Sequence, residues 1–288
     1  MTRPSRPRPE RADSAEFAAF RRVRAEHPEL ASAVDMQVEI VVLQHRVASR
    51  LTTPWIELDA EHVARELAAG RPIVSFGDIP FDWREFRVLF RLLADVLARY
   101  DVLEPPDVAM LKAMGREGRP EAREVEAWYL SPFERSHSAG AASSAGAPDS
   151  LATVLSMSAR PFLARTVDAL HQRVNLAPWT QAFCPFCGGA PEFALLPRTG
   201  GRRLVCARCT ATWPFPEQTC PYCGNALAGC STSFVSTDRR YRLTGCDACR
   251  KYVKAFDVRN ADRPFLYDVD AVASLPLDAA ALQRGYLG

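Results

Sequence analysis

All nine cysteines of this 288-residue chain fall between Cys184 and Cys249, and eight of them form four Cys-x-x-Cys pairs. The pairs are "CPFC" (Cys184, Cys187), "CARC" (Cys206, Cys209), "CPYC" (Cys220, Cys223) and "CDAC" (Cys246, Cys249). Between the first and second pairs lie 18 residues, between the third and fourth 22, and only ten separate the two sets. This is the ribbon pattern twice over, in which a hairpin brings two knuckles against one metal ion. Two residues between thiols let one tight turn aim both sulfurs at one point, while its N–H groups donate to the thiolates. Gly188 and Gly224 follow the leading knuckles, where a left-handed backbone carries little strain for glycine alone. The trailing knuckles read as less regular, with Thr210 and Arg250 at the matching places.

Two other chemistries for such thiols fit less well. A thioredoxin-like dithiol uses a single Cys-x-x-Cys at a strand-to-helix junction. A disulfide framework requires export, and the basic, proline-rich start "MTRPSRPRPERADS" is followed by no apolar stretch. Arg21 and Arg22 lack one too, so the chain is expected to be cytoplasmic. His27, His45, His62, His137 and His171 all lie outside the cysteine block, which favours all-cysteine ligation. Consecutive pairing is expected: Cys184, Cys187, Cys206 and Cys209 in one site, Cys220, Cys223, Cys246 and Cys249 in the other. The two metal ions would be zinc or single iron, which suit such a tetrad equally on geometry. Four protein ligands close the coordination shell, and no P-loop, G-x-S-x-G or dinucleotide fingerprint occurs, so no enzyme activity is expected. Cys230 is left over and reads as a small buried apolar residue.

The remainder of the chain has a different texture. Residues 1–13, with four arginines and three prolines, read as a disordered arm. Residues 14–180 carry helical periodicity. Ser14 is placed to cap a first helix, Val34, Val38, Val41 and His45 recur at helical spacing, and Asp59 caps a short helix before Gly70. "FDWREFRVLFRLLADVLARY" is the clearest, with Phe86, Leu89, Phe90, Leu93 and Leu97 on one face. The alanine- and serine-rich run at about 136–150 reads as a flexible loop, after which helix resumes through Leu170 with Pro161 as a start or kink. Beyond Phe183 the chain turns to short β-type runs, then a tail with one short helix. The expected fold class is therefore α+β: an all-helical N-terminal domain, a first four-cysteine ribbon at 181–215, and a second at 216–288 with the tail. No apolar run is long enough to span a bilayer.

The knuckles in their setting, "CPFCGGAPE", "CARCTATWPFPEQTCPYCGN" and "CDACRKYVKAFD", followed by "DVDAVASLPLD" and "GYL", resemble the formate dehydrogenase accessory protein family, FdhE. The stretch "RPIVSFGDIPFDWREFRVLF" resembles that family's N-terminal half, so the likeness covers about residues 20–288. It implies an assembly factor with a helical domain and two rubredoxin-like modules. It also implies metal at the eight paired cysteines and binding to the catalytic subunit of formate dehydrogenase. A rival reading is a nucleic-acid-binding ribbon, using Arg198, Arg202, Arg203, Arg239, Arg240 and Arg242 with Trp213, Phe234 and Tyr241 as stacking platforms. It is disfavoured because arginines at hairpin tips are ordinarily solvated and aromatics in small modules are ordinarily core. A rubredoxin-like electron carrier is the third reading and ranks last.

Overall fold

The computed structural model describes residues 9–52, 56, 59–131 and 149–287. Helices α1 (Pro9–Glu26), α2 (Ala31–Ala48), α3 (Ala60–Ala68), α4 (Trp83–Arg99), α5 (Pro105–Arg116), α6 (Ala122–Tyr129) and α7 (Asp149–Leu170) precede the sheet. The α4 stripe forms the centre of this half, with Phe86, Leu89, Phe90, Leu93 and Leu97 all at most 1% exposed. Asp82 starts the helix by accepting from the Arg84 and Glu85 N–H groups, and Asp59 does the same for α3 through Glu61. The first helix departs from expectation. It begins at Pro9 and runs straight through Ser14, so residues 9–13 are helical, while residues 1–8 of the expected arm lie outside the described residues. Most of the 136–150 loop also lies outside them, and α7 passes through Pro161 without ending.

Six strands follow: β1 (Pro191–Leu196), β2 (Arg203–Cys206), β3 (Thr212–Pro214), β4 (Ser231–Val235), β5 (Tyr241–Cys246) and β6 (Tyr252–Asp257). Each ribbon is an antiparallel three-stranded meander. The two are joined edge to edge into one sheet of order β3-β2-β1-β6-β5-β4. The joint is a parallel pairing of β1 with β6, in which Phe193 faces Lys254 and Leu195 faces Phe256. The second ribbon is thus the first repeated by translation along the sheet. Because β1 and β6 run in parallel and each follows a knuckle, both cysteine sets lie at the same end of the sheet. The fold class is mixed α+β, a helical N-terminal part followed by a sheet region that carries both cysteine sets.

The tail forms two helices where one was expected, α8 (Tyr267–Ala273) and α9 (Leu275–Gln283). Pro276 in the first turn of α9 has no N–H to continue the α8 ladder but suits a helix start. Val269 and Val272 of α8 pack with Phe20, Val23, Val34 and Val41 of the helical part. Leu277 and Ala281 of α9 cover Tyr241, Leu243 and Phe256 on the sheet. The tail's carboxylates lock this arrangement. Asp268 accepts from Gln37 of α2 and Arg160 of α7. Asp270 is fully buried and accepts from Arg263, Tyr241 and the Leu266 N–H. Asp278 accepts from Tyr252 and Lys254. These contacts hold the helical part, sheet and tail together.

Candidate metal centres

All four knuckles close with the same pair of backbone hydrogen bonds. Gly188, Thr210, Gly224 and Arg250 each donate to the carbonyl of the knuckle's first cysteine, at 3.0, 3.1, 3.0 and 2.8 Å. The N–H of that cysteine donates in turn to the residue five places on, at 2.8–2.9 Å in every case. The residue after each knuckle is left-handed, with φ of 70° at Gly188 and 72° at Gly224, but also 58° at Thr210 and 61° at Arg250. The trailing turns therefore have the leading turns' geometry without glycine. Such a φ costs a non-glycine residue about 1–2 kcal/mol, which the rest of the turn has to offset.

These turns bring the eight thiols together as consecutive pairing anticipates. Cys184, Cys187, Cys206 and Cys209 form one group and Cys220, Cys223, Cys246 and Cys249 another, the sulfurs of each lying within 4.8 Å of one another. In the first group Cys184–Cys209, Cys187–Cys206 and Cys187–Cys209 stand 3.6, 3.5 and 3.5 Å apart. In the second, Cys220–Cys249 is 3.8 Å and Cys223–Cys246 is 3.7 Å. A disulfide requires about 2.05 Å. A tetrahedron of thiolates around zinc at a metal–sulfur distance of about 2.3 Å has edges of about 3.8 Å, so the donor set fits a four-coordinate metal. Each group could hold one metal ion.

Electrostatics make the same point. Burial, together with its thiol neighbours, pushes Cys184 and Cys209 well above the ordinary thiol range. Burial opposes ionisation of Cys206 as well, but hydrogen bonds from Cys184, Cys187 and Cys209 hold it far below that range. In the second group burial and thiol contacts push Cys249 up to about 11. Cys246 goes down despite burial because the Cys249 and Ala248 N–H groups donate to it. Four thiolates do not coexist in such a space unaided. A divalent cation would supply the missing charge. The Arg208 N–H donates to Cys206 Sγ at 3.3 Å and the Tyr222 N–H to Cys220 Sγ at 3.4 Å, the usual support for metal-bound sulfur.

The groups differ in their surroundings. All four thiols of the first are buried, between 0 and 3% exposed. Its leading knuckle pairs with the segment before α4, the Ile73 N–H donating to Pro185 O at 3.0 Å and Val74 to Phe186 O at 2.9 Å. On its trailing knuckle, Arg208 donates to Tyr129 O at 3.0 Å and lies over the Trp128 ring, while Arg160 of α7 reaches Ala207 O. Tyr129 donates to Val74 O at 2.7 Å, and burial together with the cysteine charges keeps its hydroxyl protonated far above its usual range. Sequence reasoning did not assign Ile73, Val74, Trp128, Tyr129 or Arg160 to the site. They have no motif spacing relative to the cysteines, and only the family-like "RPIVSFGDIPF" stretch hints at two of them. In the second group Cys223 is exposed and Cys220 and Cys249 half-buried. Its support is the chain's end: Arg250 donates to Gly285 O and Arg284 O, Leu287 N–H donates to Arg250 O at 2.6 Å, and Tyr286 donates to Asp247. Cys230 is half-buried, short of the expected full burial, and accepts the Asp247 N–H through its carbonyl.

Most residues of the nucleic-acid reading are engaged within the fold itself. Trp213 and Tyr241 are 0 and 4% exposed, Phe234 lies under Arg284, and Tyr241 donates to Asp270. Arg202 is buried and grips the carbonyls of Pro216 and Thr219, Arg203 is tied to Thr212, and Arg240 pairs with Asp238.

No family model matches the chain. An FdhE homologue of Shewanella oneidensis is 32% identical over 111 residues, 37% of this chain and 36% of that protein. One from Shewanella baltica strain OS185 is 31% identical over the same length and shares. The match therefore spans little more than a third of these relatives' own length. The crystal structure of the FdhE protein from Pseudomonas aeruginosa superimposes with a TM-score of 0.61 at 20% identity, covering 94% of this chain and 90% of that one. The chain is similar to the FdhE proteins in fold over nearly its whole length, and in sequence over little more than a third of it.

Proposed function

We propose that the chain is an accessory factor for the assembly of a formate dehydrogenase, binding that enzyme's catalytic subunit in the cytoplasm and performing no turnover of its own. The observation that carries this reading is the pair of closed four-thiol sites on an FdhE-like fold. Cys184, Cys187, Cys206 and Cys209 would hold one ion, and Cys220, Cys223, Cys246 and Cys249 the other. A metal held by four cysteines has no open position for a substrate or an activated water, so its contribution is to shape or to electron transfer. Shape is favoured for the first site, because its knuckles are bonded both to the sheet and to residues 73–74, 128–129 and 160 of the helical part. A metal there ties the two halves of the molecule into one surface for the partner. Zinc and single iron both suit the tetrads.

The reading is tested in a strain lacking the gene. Formate dehydrogenase activity should fall while synthesis of its subunits continues, and the tagged protein should capture the catalytic subunit. Full activity in that strain would overturn it. A visible spectrum with metal analysis on anaerobically purified protein distinguishes iron, with its thiolate charge-transfer bands, from colourless zinc.

A further inference from the structure

At the end of the sheet away from the cysteines, the turn between β4 and β5 faces the turn after β6. The Asp257 N–H donates to Arg240 O at 2.8 Å and the Asn260 amide to Arg239 O at 3.2 Å, fixing one turn to the other. Between them lies a concavity of about 570 Å³ lined by Val235, Arg239, Arg242, Asp257, Arg259 and Asn260. Three guanidinium groups thus face one carboxylate. Arg259 takes both oxygens of that carboxylate, at 2.7 and 2.6 Å, while Arg242 meets it only through its field. Arg239 and Arg242 have no side-chain hydrogen bond or ion pair among the described residues, and the Arg242 Nε is buried without an acceptor. Arg242 is half-buried on β5, paired across the sheet with Val235 and Ala255. A buried donor left unpaired costs about 1–3 kcal/mol and needs a reason.

We propose that this concavity binds the phosphate group of a small phosphorylated molecule, with Arg239 and Arg242 as its ligands and the Arg259–Asp257 pair as its wall. Three guanidinium groups against one carboxylate leave an excess of positive charge that suits a phosphate dianion, and the planar forks of Arg239 and Arg242 match its oxygens better than they match a single carboxylate. A nucleic acid is a poorer occupant. The nearby aromatics Tyr241 and Phe234 are buried in the hairpin or covered, leaving nothing for bases to stack on.

The test is calorimetric titration of the full-length, metal-loaded protein with inorganic phosphate at low salt. Saturable binding of one phosphate is expected, weakened at least about tenfold in Arg242→Gln and in Arg239→Gln. Both variants should keep the parent melting temperature, and Arg198→Gln, at an exposed arginine elsewhere, should keep the parent affinity. Absence of saturable binding would overturn the proposal. So would equal weakening in Arg198→Gln, or displacement of phosphate by a single-stranded oligonucleotide at lower concentration.

Discussion

The two four-cysteine groups have the same knuckles, the same sulfur geometry and different surroundings. The first is sealed between the sheet and the helical part, with every thiol buried. The second stands at the sheet's other half with Cys223 exposed, backed by the last residues of the chain. Local sequence makes the tetrad, and what packs around it sets how hard a metal held there would be to remove. A buried tetrad can lose its ion only when the protein opens, so its release is limited by unfolding of the seam. A half-exposed one can be attacked by a competing ligand while the fold stays intact.

The largest effect should come from removing a centre outright. Cys184→Ser with Cys187→Ser should lower the bound metal from two ions to one and expose the seam around residues 71–77 and 183–215 to protease. Structural zinc in model peptides is worth roughly 10–16 kcal/mol, more than most domains' net stability. Cys220→Ser with Cys223→Ser should also cost one ion but leave that seam protected. Equal proteolysis in both double variants, or loss of both metals in either, would erase the distinction.

Next in size is Tyr286→Ala. Its ring is 3% exposed, and its hydroxyl donates to Asp247 inside the fourth knuckle. Truncating it should cost about 3 kcal/mol and should speed release of the second metal only. A matching loss at the first centre would mean the tail supports both.

Chelator competition on the parent protein should then be biphasic, the second centre releasing at least about tenfold faster, a difference of about 1.4 kcal/mol in barrier. Arg208→Ala should bring the two phases closer. It removes a hydrogen bond to Tyr129 O and a stack on Trp128, about 1–2 kcal/mol together, and it gives the second knuckle the alanine that the fourth has in Ala248. A single phase in the parent protein would refute the contrast.

The smallest expected difference concerns the glycines behind the leading knuckles. Both have left-handed φ, but a Cβ on Gly188 would meet Pro72 Cγ at 3.1 Å whereas one on Gly224 would meet open space. Gly224→Ala should cost only the backbone strain, about 1 kcal/mol. Gly188→Ala should cost that and a further displacement of the segment before α4. Identical melting temperatures would show that this segment gives way freely.

Much of this was readable beforehand, for identifiable reasons. The knuckle is a local device: five or six residues close their own hydrogen bonds, so spacing alone announces them, and the pairing follows from hairpin reach. The α4 stripe was equally plain, because period and capping are local too. Thr210 and Arg250 were misleading in a useful way. Their lack of glycine suggested irregular trailing turns, yet the backbone there is left-handed all the same, held by the turn's two hydrogen bonds. The start of α1 and the division of the tail into two helices were missed, since neither a basic, proline-rich segment nor a mid-tail proline tells how far neighbouring contacts will extend a helix.

By itself the sequence determined two tetrads of thiols, a helical half and a ribbon half, and a family likeness carried by the residues around the cysteines. Only the tertiary structure decided that the ribbons merge into one sheet through β1 and β6, since parallel pairing of strands about sixty residues apart leaves no periodic trace. It also decided that Asp268, Asp270 and Asp278 join the tail to α2, α7 and the sheet, and that one four-cysteine group is buried while its twin is not. Burial is a property of what arrives from elsewhere in the chain, and no spacing between cysteines encodes it.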